Sequence, residues 1–116
     1  MAPPMTMMVS EWAGISTTFT TDGSSFIDGT SSPATAGPVS TTHAHDLLLF
    51  GVGDGYPNTF GAPAGFTALT GVSGVGTGVS QGGWYRDVLA TGTYSASVTE
   101  TSHHWDAVLV SLRVAP

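Results

Sequence analysis

The chain has no cysteine and no lysine, and its only fixed cations are Arg86 and Arg113. Without cysteine there is no disulfide framework, no thiolate nucleophile and no Cys-based zinc site. Two arginines cannot build the cationic patch that displaces counterions from phosphates, so nucleic acid is not an expected partner. The same shortage argues against binding an anionic membrane surface. Long apolar runs are missing as well, and none approaches the roughly 20 residues that a membrane-spanning helix needs. Charged residues make up only 9% of the chain, against about a quarter in ordinary globular domains. Helical periodicity is also missing: no window keeps apolar residues at i, i+3, i+4 and i+7 while free of glycine and β-branched residues. The opening residues lack the basic and apolar stretches of a signal peptide. The expectation is export by other means, excision from a larger protein, or release by lysis.

What remains is a chain of 116 residues, 41% apolar, with 16 glycines and abundant serine and threonine. That length suits one domain able to bury a core without disulfides or metals. Eight carboxylates against two arginines give a net charge of −6 with histidine neutral. A disordered acidic chain would carry more charge and fewer aromatic rings. This one reads as folded, with a surface of hydroxyls and backbone.

Strand signals recur between Gly, Pro, Asn and Asp punctuation. Residues 7–13 alternate, with Met8, Ser10 and Trp12 on one side and Val9 and Glu11 on the other. Ile15, Thr17 and Phe19 form a weaker run. Residues 22–38, with two Asp-Gly dipeptides and two prolines, read as a long loop with at most one short strand. Asp46-Leu47-Leu48-Leu49-Phe50 is apolar on both faces and predicts a central, fully covered strand, broken by Gly51-Val52-Gly53-Asp54-Gly55. Further strands are predicted over 65–70 and 84–89. Another spans 92–100, with Tyr94, Ala96 and Val98 inward. The last spans 105–114, with Trp105, Ala107 and Leu109 opposite Val108, Val110, Leu112 and Val114. Seven to eight short strands with negligible helix predict an all-β, two-sheet antiparallel β-sandwich. No internal repeat is present.

Ser10-Glu11-Trp12-Ala13-Gly14, Asp28-Gly29-Thr30, and Thr41-Thr42 leading into Asp46-Leu47-Leu48-Leu49 come in a telling order. Ala64-Gly65-Phe66-Thr67, Gly92-Thr93-Tyr94-Ser95-Ala96 and Trp105 complete it. The series resembles the Gly/Thr-rich, jelly-roll-like sandwich modules of phage virion-surface proteins and of secreted bacterial proteins. That resemblance implies a jelly-roll-like fold and a place on a virion or cell exterior, with no catalytic motif to carry over. In longer relatives the Glu-Trp strand follows several others, whereas here it comes almost at once. The expectation is therefore a sheet edge left open to pairing. Residues 1–8 would act as a docking arm, with Pro3, Pro4, Met5, Met7 and Met8 as contacts, and residues 9–116 as one sandwich domain. The expected partner is a second copy, or a major capsid or tail protein. The alternative is a carbohydrate-binding or adhesive module of a secreted protein.

Four motifs bear on chemistry. Gly78-Val79-Ser80-Gln81-Gly82 fits a nucleophile elbow, but no helix pattern follows it, and no enzymatic activity is expected. His43 and His45 flank Ala44, and His103 and His104 stand together before the last strand. The two pairs could form one metal site if the strand entrances met, although polar turn residues are the commoner reading. Asp22-Gly23, Asp28-Gly29 and Asp54-Gly55 read as turns rather than calcium loops, because none carries the clustered carboxylates such a loop needs. Tyr56 and Trp84 are the candidate glycan-stacking rings, since one of Trp84 and Tyr85 must point outward. No cofactor is expected.

Overall fold

The computed structural model describes residues 7–18, 21–69, 74–75 and 78–116. All regular structure among them is β: β1 (Thr21–Gly29), β2 (Ala34–Ser40), β3 (Asp46–Asp54), β4 (Thr67–Ala68), β5 (Gly74–Val75), β6 (Ser80–Val88), β7 (Thr93–Val98) and β8 (Trp105–Arg113). The large sheet runs β1-β8-β3-β6-β4, with β5 also pairing β6, and the small sheet is β2-β7. Every pairing is antiparallel. The protein is a two-sheet antiparallel β-sandwich.

β3 is the axis of the large sheet. It pairs β8 in unbroken register from Asp46↔Arg113 to Asp54↔Trp105, and β6 from Asp46↔Val88 to Asp54↔Ser80. Because side chains alternate, Leu48, Phe50 and Val52 face inward with Trp84 and Val88 of β6 and Trp105, Ala107 and Leu109 of β8. Phe50 lies at the centre, 5.4 Å from the Trp84 ring and 5.9 Å from Phe66. β2 and β7 close one half of this face with Ala34, Ala36, Val39, Ala96 and Val98. The connection after β3 closes the other half, with Phe60 edge-on to Trp84 and Phe66 against the core.

Two departures from the sequence reading both fall where small residues stand inside strands. The stretch expected to be a loop contains β1 and most of β2, full-length strands whose inward positions include Gly23, Ser25, Ala34 and Ala36. Small residues stand there because the sheets approach closely: a Cβ on Gly23 would lie 2.8 Å from Val39 Cγ1, and Gly37 N donates to Ser25 Oγ at 3.0 Å. Pro38 is tolerated because β2 shifts register between Ala36 and Val39, and proline is confined to such bulges and edges. The second departure is β3, which does not break at Gly51 but continues to Asp54.

Candidate functional site

The outer face of the large sheet is also apolar. It carries Leu47 and Leu49 of β3, Val108, Val110 and Leu112 of β8, Tyr85 of β6 and Phe26 of β1. The N-terminal segment lies along this face as a strap rather than as a strand in the ladder. Ile15 forms an isolated bridge with Val114, Ser16 N donates to Arg113 O at 2.8 Å, and Ala115 N donates to Gly14 O at 2.7 Å. Trp12 meets the Tyr85 ring edge-on at 5.3 Å. Farther along, Gln81 Nε2 donates to Met7 O at 3.2 Å, and Met8 Cε lies 3.0 Å from where a Gly51 Cβ would stand. Gly51 thus makes room for the strap. The alternation expected over residues 7–13 holds in its facing: Met8 and Trp12 turn toward the sheet, and Val9 and Glu11 toward solvent.

The strap covers the face only in part. On the sheet Phe26 is 67% exposed and Val108 42%, and on the strap itself Met7 is 78% exposed and Val9 77%. Beside Met8 an apolar groove of about 130 Å³ runs between Leu49, Leu69, Val108 and Val110. Contiguous exposed apolar surface of this kind marks contact sites in soluble domains. Of the contacts expected from the sequence, Met8 lies on this face against Gly51, whereas Met7 is largely exposed and meets the sheet through its carbonyl. Pro3, Pro4 and Met5 fall outside the described residues.

The two histidine pairs do not converge. His43 and His45 precede Asp46 at one end of β3, whereas His103 and His104 precede Trp105, opposite Asp54 at the other end. Eight residues of strand separate the two ends by about 26 Å, so the condition for a joint four-histidine site, that the strand entrances meet, is not fulfilled. Nor do His43 and His45 share a direction, because they sit in a bend and not in an extended segment. His43 Nδ1 lies 2.9 Å from His45 O and 3.3 Å from Asp46 Oδ1, and His45 Nε2 lies 2.8 Å from Asp87 Oδ1.

The Asp46 end holds two buried carboxyls of opposite character. Asp22 accepts from Thr42 N and Oγ1, both at 2.6 Å, from His43 N at 3.0 Å, and from Arg113 Nε and Nη2 at 3.2 and 3.0 Å. Burial pushes this carboxyl up, but the bonds from Thr42, His43 and Arg113 together outweigh it and hold Asp22 well below the usual carboxylate range. Asp46 is fully buried and accepts from Ser111 Oγ. Burial pushes it up, and the neighbouring Asp22 carboxylate adds to that.

The Asp54 end is acidic. Asp28 and Asp106 face each other across β1 and β8. His104 Nε2 stands 3.6 Å from Asp106 Oδ1, and the ligand atoms of Asp28, His104 and Asp106 all lie within 4.8 Å of one another on the surface. His103 stacks on Tyr56 at 3.8 Å, so one face of that half-exposed ring is already taken. Trp84 corrects the sequence reading: it is the inward member of the Trp84-Tyr85 pair, only 5% exposed, and its ring is not presented to a sugar. Ser80 is fully buried, its hydroxyl donating to Tyr56 O at 2.8 Å. Behind it lies a network that sequence reasoning missed. Asn58 Nδ2 donates to Asp54 Oδ2 at 3.0 Å, to Glu100 Oε2 at 3.3 Å and to Thr101 O at 2.9 Å. Only the period of two, which puts Asp46 and Asp54 on the same face as Leu48 and Phe50, could have flagged those aspartates as buried.

Comparison with known proteins gives no match: no family model, curated protein or solved structure aligns significantly with this chain.

Proposed function

We propose that this chain is a structural subunit of a virion surface, of the capsid-decoration or tail-surface kind, and that it docks to neighbouring copies of itself through the outer face of its large sheet. The observation that carries the reading is the apolar surface of Phe26 and Val108 beside Met8, which the strap leaves open on this face. β1 supports it, as an edge strand hydrogen-bonded to β8 on one side and, among the described residues, to no strand on the other. Such an edge can add a strand from a neighbour. A symmetric face-to-face contact needs only one self-complementary patch. Repetition over a particle then multiplies a weak contact.

The test joins light scattering in solution with quantitative mass spectrometry of density-gradient-purified particles. Self-association that F26S and V108S abolish, with unfolding midpoints unchanged, is the expected result, alongside a fixed copy ratio in the particle band. A monomer at every concentration, absent from particles and free in the supernatant, would refute the reading. That result would move the assignment to a secreted binding module.

A further inference from the structure

We propose that the Asp54 end of the sandwich binds a hard divalent cation of the calcium class between Asp54 Oδ1 and Glu100 Oε1. Asn58 sets up the site. Its amide nitrogen ties down one oxygen of each carboxylate, Asp54 Oδ2 at 3.0 Å and Glu100 Oε2 at 3.3 Å, while its Oδ1 accepts from Thr101 N at 3.2 Å. The second oxygens, Asp54 Oδ1 and Glu100 Oε1, are buried with no hydrogen-bond donor. Asp54 is itself only 4% exposed. Buried carboxylate oxygens without a partner are costly, and two carboxylates held by one amide nitrogen repel each other. Burial pushes the Glu100 carboxyl up and the charge of Asp54 adds to the rise, which His103 opposes only in part.

No fixed cation of the chain relieves this end. Arg113 bonds Asp22 at the far end of β8, and Arg86 lies over the Tyr94 ring at 5.4 Å. The donors present are oxygens, which suit calcium or magnesium better than zinc or copper. Among the described residues the one set of three metal-ligating side chains is Asp28, His104 and Asp106, so no imidazole joins Asp54 and Glu100. A cleft of about 370 Å³, lined by Thr59, Gly61, Thr99, Glu100 and Thr101, opens beside Glu100. Waters entering from that cleft on the Glu100 side would complete the six to eight oxygens calcium takes. A bound cation would pin the connection after β3, which carries the core-covering Phe60 and Phe66, to the turn before β8.

The experiment titrates the full chain, first stripped with EDTA, with Ca²⁺ at neutral pH. Thermal unfolding and terbium luminescence, sensitised through Tyr56 and Trp105, are the readouts. At about a hundredfold excess over Kd the midpoint should rise by roughly 10 °C. D54N and E100Q should lose both the rise and the luminescence, while D106N keeps them. In EDTA, E100Q should fold at least as well as wild type, because it removes the repulsion. Calorimetric titration of the wild type reads the one-to-one stoichiometry even if a variant fails to fold. The proposal is overturned if Ca²⁺ leaves the wild type unmoved while acid alone stabilises it, since the pair then shares a proton. It is equally overturned if D106N and not E100Q abolishes binding, since the cation then sits on the surface triad.

Discussion

Replacing Arg113 with methionine should separate the electrostatics of the Asp46 end from its packing, because methionine keeps much of the apolar stem. The guanidinium gives Asp22 two of its hydrogen bonds and donates a third to Thr42 Oγ1 at 3.0 Å. The Asp22 side chain is 1% exposed and the Arg113 side chain 27%. Breaking a buried pair by removing one partner costs about 3–5 kcal/mol. Arg113 is partly solvated and the Thr42 and His43 donors remain, so we expect roughly 2–3 kcal/mol, or about 10 °C in midpoint. The pH dependence gives the sharper test. Asp22 is depressed in the folded state, so its stabilisation is complete above the unfolded carboxylate value near about 3.9 and is lost as pH falls through its lower folded value. Without Arg113, burial is less fully opposed and the folded value climbs. The gap between wild type and variant should therefore be widest at neutral pH and narrow as pH falls through the carboxylate range. Urea unfolding at neutral pH and at several acidic values measures it. A neutral-pH loss below about 0.5 kcal/mol, the range of an ordinary surface substitution, would refute the reasoning. So would a gap that does not change with pH.

Gly29→Ala should destabilise by about 1–3 kcal/mol through overpacking. Its Cβ would fall 2.7 Å from Cζ2 of Trp105, a ring held by its Nε1 bond to Ser31 O; chemical denaturation with an unchanged m-value is the check, and an unchanged midpoint would count against the packing described. Trp12→Ala removes the edge contact with Tyr85, worth about 0.5–1.5 kcal/mol beyond the area buried. Hydrogen exchange should speed up at the Ser16 and Ala115 amides that tie down the strap's end, and change little within β3. Equal acceleration in both places would mean that the strap and the sheet open as one unit.

The strands legible in the sequence were those with large apolar residues at the period of two: Tyr94, Ala96 and Val98 in β7, and Trp105, Ala107 and Leu109 in β8. The doubly apolar start of β3 was legible for the same reason. β1 and β2 escaped because close sheet packing selects Gly, Ser and Ala at most of their inward positions, leaving only Ile27 and Val39 as large apolar signals, and the rest reads as turn chemistry. The end of β3 escaped because Gly51 and Gly53 resemble a break, although Gly51 serves the strap above it. The polar ends were the least legible. Asp22 meets Asp46, and Asp54 meets Glu100, only because β1, β3 and the β7–β8 connection bring distant residues together. The histidines drew attention by their spacing along the chain, yet spacing says nothing about which end of a sheet each pair will occupy.

The strap also sets the terms on which anything else reaches the outer face. Met8 and Trp12 are tethered to the sheet they cover, and a short tether keeps its occupant at an effective concentration in roughly the millimolar range. A partner free in solution at micromolar levels meets a seat already taken, and its apparent affinity falls by the fraction of time the seat is filled. An ordered array changes that contest. There the challengers are themselves held in place, at local concentrations that rival the tether. If copies dock as proposed, self-masking of this sort would keep the surface beneath the strap quiet while subunits are dilute and release it where they are crowded into register.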